Sequence, residues 1–159
     1  MNPARIRPAT VDDAEAIARV HIEAWRQTYS ELVEPGEFDK LSVERRTARW
    51  RSKLEEDSDT WVALAGDEVI GFAGARSHDG DAVRPRELEY IYVLAAHHGT
   101  GIGQALLDEA IGDVPAFVFV ARGNPRAIRF YERNRFEFDG ASEEYPLVRT
   151  PITSLRMVR

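Results

Sequence analysis

Residues 88–111 read LEYIYVLAAHHGTGIGQALLDEAI, an apolar strand, a short glycine loop and an amphipathic helix in direct succession. That order builds an anion site. Gly99, Gly101 and Gly103 let the backbone turn sharply and come close to a ligand. The helix behind them aims its unpaired N–H groups and the positive end of its dipole at the same point. A phosphate or pyrophosphate fits there, and the spacing narrows the choice. A dinucleotide loop needs G-x-G-x-x-G, and the third glycine here stands in the wrong place. A nucleoside-triphosphate loop would close on Gly-Lys-Ser or Gly-Lys-Thr, and no such triplet follows, so ATP and GTP are poor candidates.

Working outward, Ile6, Arg7 and Pro8 read as a short edge strand, because proline has no N–H to give a ladder. Thr10 is the expected cap of a helix reaching about Gln27. Asp12 and Asp13 lie in its first turn, and Ala14, Ile17, Ala18, His21, Ile22 and Trp25 recur at three- and four-residue steps. Pro35 and Gly36 break the periodicity over 29–41, a loop, and Ser42 caps a second helix to about Leu54. Residues 61–65 and 69–75 form an antiparallel hairpin about Gly66, Asp67 and Glu68, and 77–85 is a polar loop.

The glycine-loop helix runs to about Gly112. The strand 116–121 is apolar on both faces and so belongs inside the sheet. A helix begins at Asn124, and strands 136–139 and 152–158 pair across a long connection carrying Tyr145 and Pro146. The expectation is an α+β fold: a mixed sheet of about seven strands with four helices, in β-α-α-β-β-β-α-β-α-β-β order, as a single domain over 1–159.

At 159 residues and 43% hydrophobic, the chain has apolar residues enough for a sizeable core. The absence of cysteine excludes disulfides, zinc-thiolate sites and an acyl-cysteine intermediate. No stretch approaches the roughly 20 apolar residues of a membrane span. The opening MNPARIRPAT lacks the apolar core of a signal peptide, so a cytoplasmic location with no membrane partner is expected. A net charge of −6 argues against a nucleic-acid partner. Arg45, Arg46, Arg49, Arg51 and Lys53 form a local basic cluster, but Glu44, Glu55 and Glu56 are interleaved with it, and it reads as a solvated helix face.

The glycine loop resembles the acyl-CoA pyrophosphate loop of the GNAT superfamily of N-acetyltransferases, Q/R-x-x-G-x-G/A after a strand ending in valine. It reads His98, Gly99, Thr100, Gly101, Ile102, Gly103 after Ile91, Tyr92 and Val93, with histidine where glutamine or arginine is usual. Asn124, Ala127, Phe130 and Tyr131 in NPRAIRFYERNRFEF are similar to the family's N-x-x-A-x-x-F-Y helix. The resemblance implies a mostly antiparallel seven-stranded GNAT sheet flanked by four helices, acetyl-CoA as co-substrate and acetylation of an amine by direct attack in a ternary complex. It implies that Val93 and Leu94, opposite the strand 116–121, present backbone groups to pantetheine. Asn124 would contact the pantetheine or order the loop, and Tyr131 would donate a proton to the departing thiolate. Where the family commonly has Gly-Phe, Arg135 precedes Phe136. A left-handed cap there would cost on the order of 1 kcal/mol, and Asn134 is the alternative residue for that conformation.

An amine of pKa near 10 must lose a proton to react, so a base is needed. Glu87 and Glu89 are the candidates, placed on one face by strand alternation, with Glu89 favoured for lying nearer the thioester. The alternative reading is that one or both are merely solvated or salt-bridged near the start of the strand. Tyr131 reads alternatively as a core aromatic beside Phe130. His97 and His98 point apart with no carboxylate cluster beside them, so no metal is expected. His98 is placed against the pyrophosphate, where protonation would add a charge-assisted bond. Implied acceptor residues are Trp25, Tyr29, Leu32, Val33, Glu34 and Tyr145, a set suited to a cationic amine, although Trp25 also fits the apolar stripe of its helix. The acceptor stays open between a small-molecule amine and a peptide amino group. The rival readings are a non-catalytic acyl-CoA sensor and a same-fold transferase using another acyl-CoA. The family is often dimeric through its last strands, but nothing in TPITSLRMVR specifies a homodimer.

Overall fold

The computed structural model describes residues 3–34, 36–56 and 58–159; the expected loop-breaking Pro35 lies outside them. Strand β1 (Arg5–Pro8) is followed by helices α1 (Ala14–Tyr29) and α2 (Val43–Glu55), then by strands β2 (Asp59–Ala65), β3 (Glu68–Ser77) and β4 (Arg86–Val93). After the glycine loop come α3 (Ile102–Ile111), β5 (Ala116–Ala121), α4 (Pro125–Arg133), β6 (Glu137–Leu147) and β7 (Thr150–Val158). The seven strands form one sheet in the order β1-β2-β3-β4-β5-β7-β6, antiparallel throughout except for β4 and β5. This is the expected α+β order, with β1 at an edge and β5 inside.

The caps are local. Ser42 Oγ accepts from the Arg45 N–H at 3.2 Å and starts α2. Asp13 accepts from the Thr10 N–H at 2.7 Å and closes a 3₁₀ turn that feeds α1. The same carboxylate is held by Arg7 at 2.7 and 2.9 Å, and that guanidinium keeps it below the usual carboxylate range.

Helices α1 and α2 cover one face of the sheet, where Ile17, Ala18 and Trp50 meet Val62, Phe72 and Tyr90. Helices α3 and α4 cover the other, where Leu106, Leu107 and Tyr131 meet Ala63, Ile70, Leu88 and Val118. No described helix is long and apolar enough to cross a membrane.

Two irregularities in the sheet position the site. Leu88 and Tyr90 are two residues apart yet lie on opposite faces, because the register against β3 slips between Gly74 and Ala75 and leaves Glu89 as an extra residue. The ring of Tyr90 lies across Gly74, where an added Cβ would fall 2.2 Å from the phenol carbon, and its hydroxyl bonds Thr60 Oγ1 at 2.5 Å. The alternation expected to align Glu87 with Glu89 is therefore broken by a bulge. Beyond it, β4 and β5 separate: they pair only at Arg86 with Ala116, Glu87 with Phe117 and Leu88 with Val118.

Two further expectations are corrected. The long connection after residue 139 is mostly strand, since β6 runs to Leu147 with Tyr145 opposite Ile152 and Pro146 opposite Pro151. Proline is tolerated because β6 is an edge. The left-handed residue after α4 is Arg135 (φ 68°), while Asn134 has φ −100°. The Phe136 N–H reaches back to the Tyr131 carbonyl at 3.0 Å, which closes the helix and puts the reversal at Arg135. Asn134 is committed elsewhere, donating to the Phe130 carbonyl at 3.0 Å and accepting from Gln104 at 2.8 Å.

Candidate active site

A cleft of about 570 Å³ occupies the gap between the separated ends of β4 and β5. The Leu94 N–H donates to the Ile70 carbonyl on β3 at 3.0 Å. By alternation along an antiparallel strand, the backbone groups of Ile91 and Val93 turn the other way, into the gap. Val93 lines the cleft, and its carbonyl is engaged by His98 Nε2 at 2.9 Å.

The glycine loop forms the mouth. Gly99 (φ 74°) and Gly101 (φ 87°) both adopt left-handed geometry, and a Cβ on either would meet nothing within 4 Å. They are required for the turn, and the space before them stays open. The first α3 bond runs from the Ala105 N–H to the Gly101 carbonyl at 3.0 Å, so the amides of Ile102, Gly103 and Gln104 precede the helical ladder. Gly99, Gly101 and Gly103 line the cleft. Thr100 turns its hydroxyl back to the His97 carbonyl at 2.6 Å, and the Ile102 side chain is buried in the core, so these two offer backbone only.

His98 does not stand as a free cation at the mouth. Its ring bonds the Val93 carbonyl, and burial holds its pKa below the ordinary 6.5, so it is a neutral donor at pH 7. The charge-assisted pyrophosphate bond expected of it is replaced by a brace between loop and strand. The cations of the cleft are instead Arg126 and Arg133, seven residues apart and so on one face of α4. That spacing was the available signal for them.

At the inner end, Asn124 caps α4 by accepting from the Ala127 N–H at 3.2 Å, and its amide faces the Tyr29 hydroxyl. Tyr131 is 5% exposed, wedged between Phe130 and Phe136, and its hydroxyl has no hydrogen-bond partner among the described residues. Burial first, and nearby Tyr29 second, push the phenol well above its ordinary pKa, with Arg126 opposing them. Tyr92 is raised in the same way and accepts from Trp25 Nε1 at 2.8 Å.

Glu89 lines this cleft and also a second, shallow and open pocket of about 240 Å³ on the α1–α2 side, lined by His21, Arg46, Arg49, Trp50, Lys53 and Tyr90. Its Oε1 lies 3.5 Å from Lys53 Nζ. Glu87 lines neither cavity; it pairs with His78 at 2.5 Å and Arg76 at 3.1 Å.

Among the implied acceptor residues, Tyr29 lines the cleft and Trp25 is core. Tyr145, 42% exposed on β6, lies near Arg46. Glu34 is exposed and lines neither cavity. The basic cluster of α2 divides: Arg45, Arg49 and Arg51 are exposed as expected, while Arg46 and Lys53 are half-buried, and Arg46, Arg49 and Lys53 line the second pocket. Among the described residues no group of three or more His, Cys, Asp or Glu could hold a metal ion.

A sequence profile described as "Acetyltransferase (GNAT) family" matches residues 19–136. The chain is 32% identical over 143 residues to an uncharacterized N-acetyltransferase, YuaI, of Bacillus subtilis, covering 80% of this chain and 76% of that one. It is 29% identical over 168 residues to a probable N-acetyltransferase of Mycobacterium tuberculosis, covering 98% and 94%. In three dimensions it is similar to the PaiA N-acetyltransferase of Thermoplasma acidophilum, solved in complex with coenzyme A. The TM-score is 0.72 at 22% identity over 97% of this chain and 98% of that one.

Proposed function

The chain belongs to the GNAT family of acetyltransferases, and on that premise we propose that residues 1–159 act as one unit that acetylates a primary amine by direct attack in a ternary complex. The observation that carries this reading is the gap between β4 and β5, closed at one end by left-handed glycines and lined at the other by a buried, unpartnered tyrosine.

Acetyl-CoA suits that gap as co-substrate. The free amides at the start of α3, with Arg126 and Arg133 opposite, match a pyrophosphate. The inward backbone groups of Ile91 and the inward N–H of Val93, whose carbonyl is taken by His98, match an amide-bearing pantetheine chain lying as an added strand. The bound thioester supplies an electrophilic carbonyl whose carbon exchanges its bond to sulfur for a bond to nitrogen.

Glu89 takes the proton that the amine nitrogen loses, because it is the carboxylate at the boundary of the two cavities. Tyr131 donates a hydrogen bond to the departing thiolate. Its raised pKa keeps it protonated, so it acts as a fixed donor whose proton can follow the sulfur. Asn124 anchors the start of α4 and holds Tyr29 beside it.

The test is calorimetric titration with acetyl-CoA, followed by assay of free thiol against a panel of amines. Binding with amine-dependent thiol release supports the reading; binding with no release from any amine favours a sensor.

A further inference from the structure

The second cavity has more positive charge than acetyl transfer to a simple amine requires. Arg46, Arg49 and Lys53 recur at three- and four-residue steps, so α2 presents all three to it, and Glu89 is the one carboxylate in the wall. Glu89 is already paired with Lys53 at 3.5 Å. Arg46 and Arg49 have no carboxylate within 4 Å among the described residues.

Arg46 is held in place. Its Cζ sits 4.8 Å above the Trp25 ring, and Trp25 is fixed by its own bond to Tyr92. The guanidinium is half-buried, and desolvation works against its charge. A positioned, partly desolvated cation without an anion is a costly arrangement unless an anion arrives. His21 adds a neutral donor. Trp50 Nε1 donates to its Nδ1 at 3.3 Å, so the ring proton is on Nε2, which has no acceptor among the described residues.

We propose that this cavity binds an anionic group of the acceptor, so that the substrate is a small amine bearing a carboxylate or a phosphate at its other end. Arg46 and Arg49 grip the anion, His21 donates to it, and the amine lies at Glu89, where the cavity meets the acetyl-CoA cleft. This rests on the transferase reading above and replaces the cationic acceptor that Glu34 and the loop aromatics suggested.

The test uses the full chain and acetyl-CoA with matched amines: O-phosphoethanolamine against ethanolamine, L-glutamate against L-glutamine, and putrescine as a cation. At least tenfold higher kcat/KM is expected for the more anionic member of a pair, and the pair that shows it separates phosphate from carboxylate. Arg46→Gln and Arg49→Gln should each reduce that preference at least fivefold, through KM, with CoA affinity unchanged. Preference for the neutral amines or putrescine, or an anion preference that survives both substitutions, overturns the proposal.

A second measurement does not need turnover. The CoA-loaded protein is titrated with inorganic phosphate and with N-acetyl-L-glutamate, and at least one should bind, at least tenfold more weakly in Arg46→Gln. If an anion binds in this way but no amine releases thiol, the transferase reading fails and the anion cavity stands. If neutral amines release thiol and neither anion binds, the cavity proposal fails and the transferase stands.

Discussion

Replacing Tyr131 by phenylalanine is expected to lower kcat by about a hundred- to a thousandfold while leaving the fold intact. The ring is 5% exposed, with centroids 5.5 Å from Phe130 and 5.7 Å from Phe136, and phenylalanine keeps all of that packing. The lost hydroxyl has no partner among the described residues, so no buried group there is stranded and the usual penalty of about 1–3 kcal/mol does not arise. What disappears is one donor aimed at charge that develops on sulfur, worth roughly 3–4 kcal/mol when the donor is fixed and shielded from water. That converts to the stated fall in rate. Because the interaction grows only as the C–S bond breaks, ground-state affinity for acetyl-CoA should scarcely move. Thiol release gives kcat, calorimetry gives affinity, and thermal melting should stay within about 2 °C, since 1 kcal/mol shifts a domain of this size by about 2–4 °C. A kcat within threefold of the parent would make Tyr131 a core aromatic and refute the donor role.

Other changes test the surrounding frame. Gly101→Ala meets no steric contact but must hold φ at 87°, so it should cost about 1 kcal/mol in chemical denaturation and weaken acetyl-CoA binding at least tenfold by turning the loop amides. Arg135→Gly relieves the left-handed strain at φ 68°, partly offset by a freer unfolded chain. Its exposed bridge to Asp113 contributes little, so melting should rise by about 1–2 °C. His21 is held neutral by burial, its pKa lowered to about 3, whereas in the unfolded chain it titrates near 6.5. Between those values the unfolded state binds the extra proton, so stability should fall by up to about 1.4 kcal/mol per pH unit as pH drops below 6.5. His21→Gln should flatten that slope in denaturant titrations at pH 7 and pH 5. His98 is neutral at pH 7 because burial lowers its pKa, so CoA affinity by calorimetry should be constant from pH 7 to 8.5; a steady loss across that range would show a charged His98 at the phosphate.

The glycine loop, the Ser42 cap, the helix beginning at Asn124 and the five strands before α4 were legible because their signals are local. Spacing of glycines, capping residues and apolar periodicity need no knowledge of what packs against them. Only the first residues of β6 were legible: the strand lies at an edge and is exposed along nearly all its length, so the stretch beyond Asp139 carries no alternation, while Gly140 and Pro146 imitate a loop. The bulge at Glu89 has no signature within LEYIYV, where alternation looks regular. It becomes apparent only with the Tyr90 ring lying over Gly74 on a neighbouring strand. The basic cluster misled for a related reason. Interleaved glutamates show that a helix is solvated somewhere, but only the docking of α2 on α1 and the sheet reveals that Arg46 is half-buried over Trp25 and that Arg49, though exposed, lines the same pocket.

The parting of β4 from β5 also makes the sheet mechanically discontinuous. Strands β1–β4 and β5–β7 are two plates stitched by three rungs at one end, and along the remainder the stitching is left to whatever enters the gap. An occupant bonded to both borders would serve as a missing strand, stiffening the plates against each other as well as filling a site. Amide exchange at residues 91–93 and 119–121 should then slow together when acetyl-CoA binds, although β4 and β5 share no rung there.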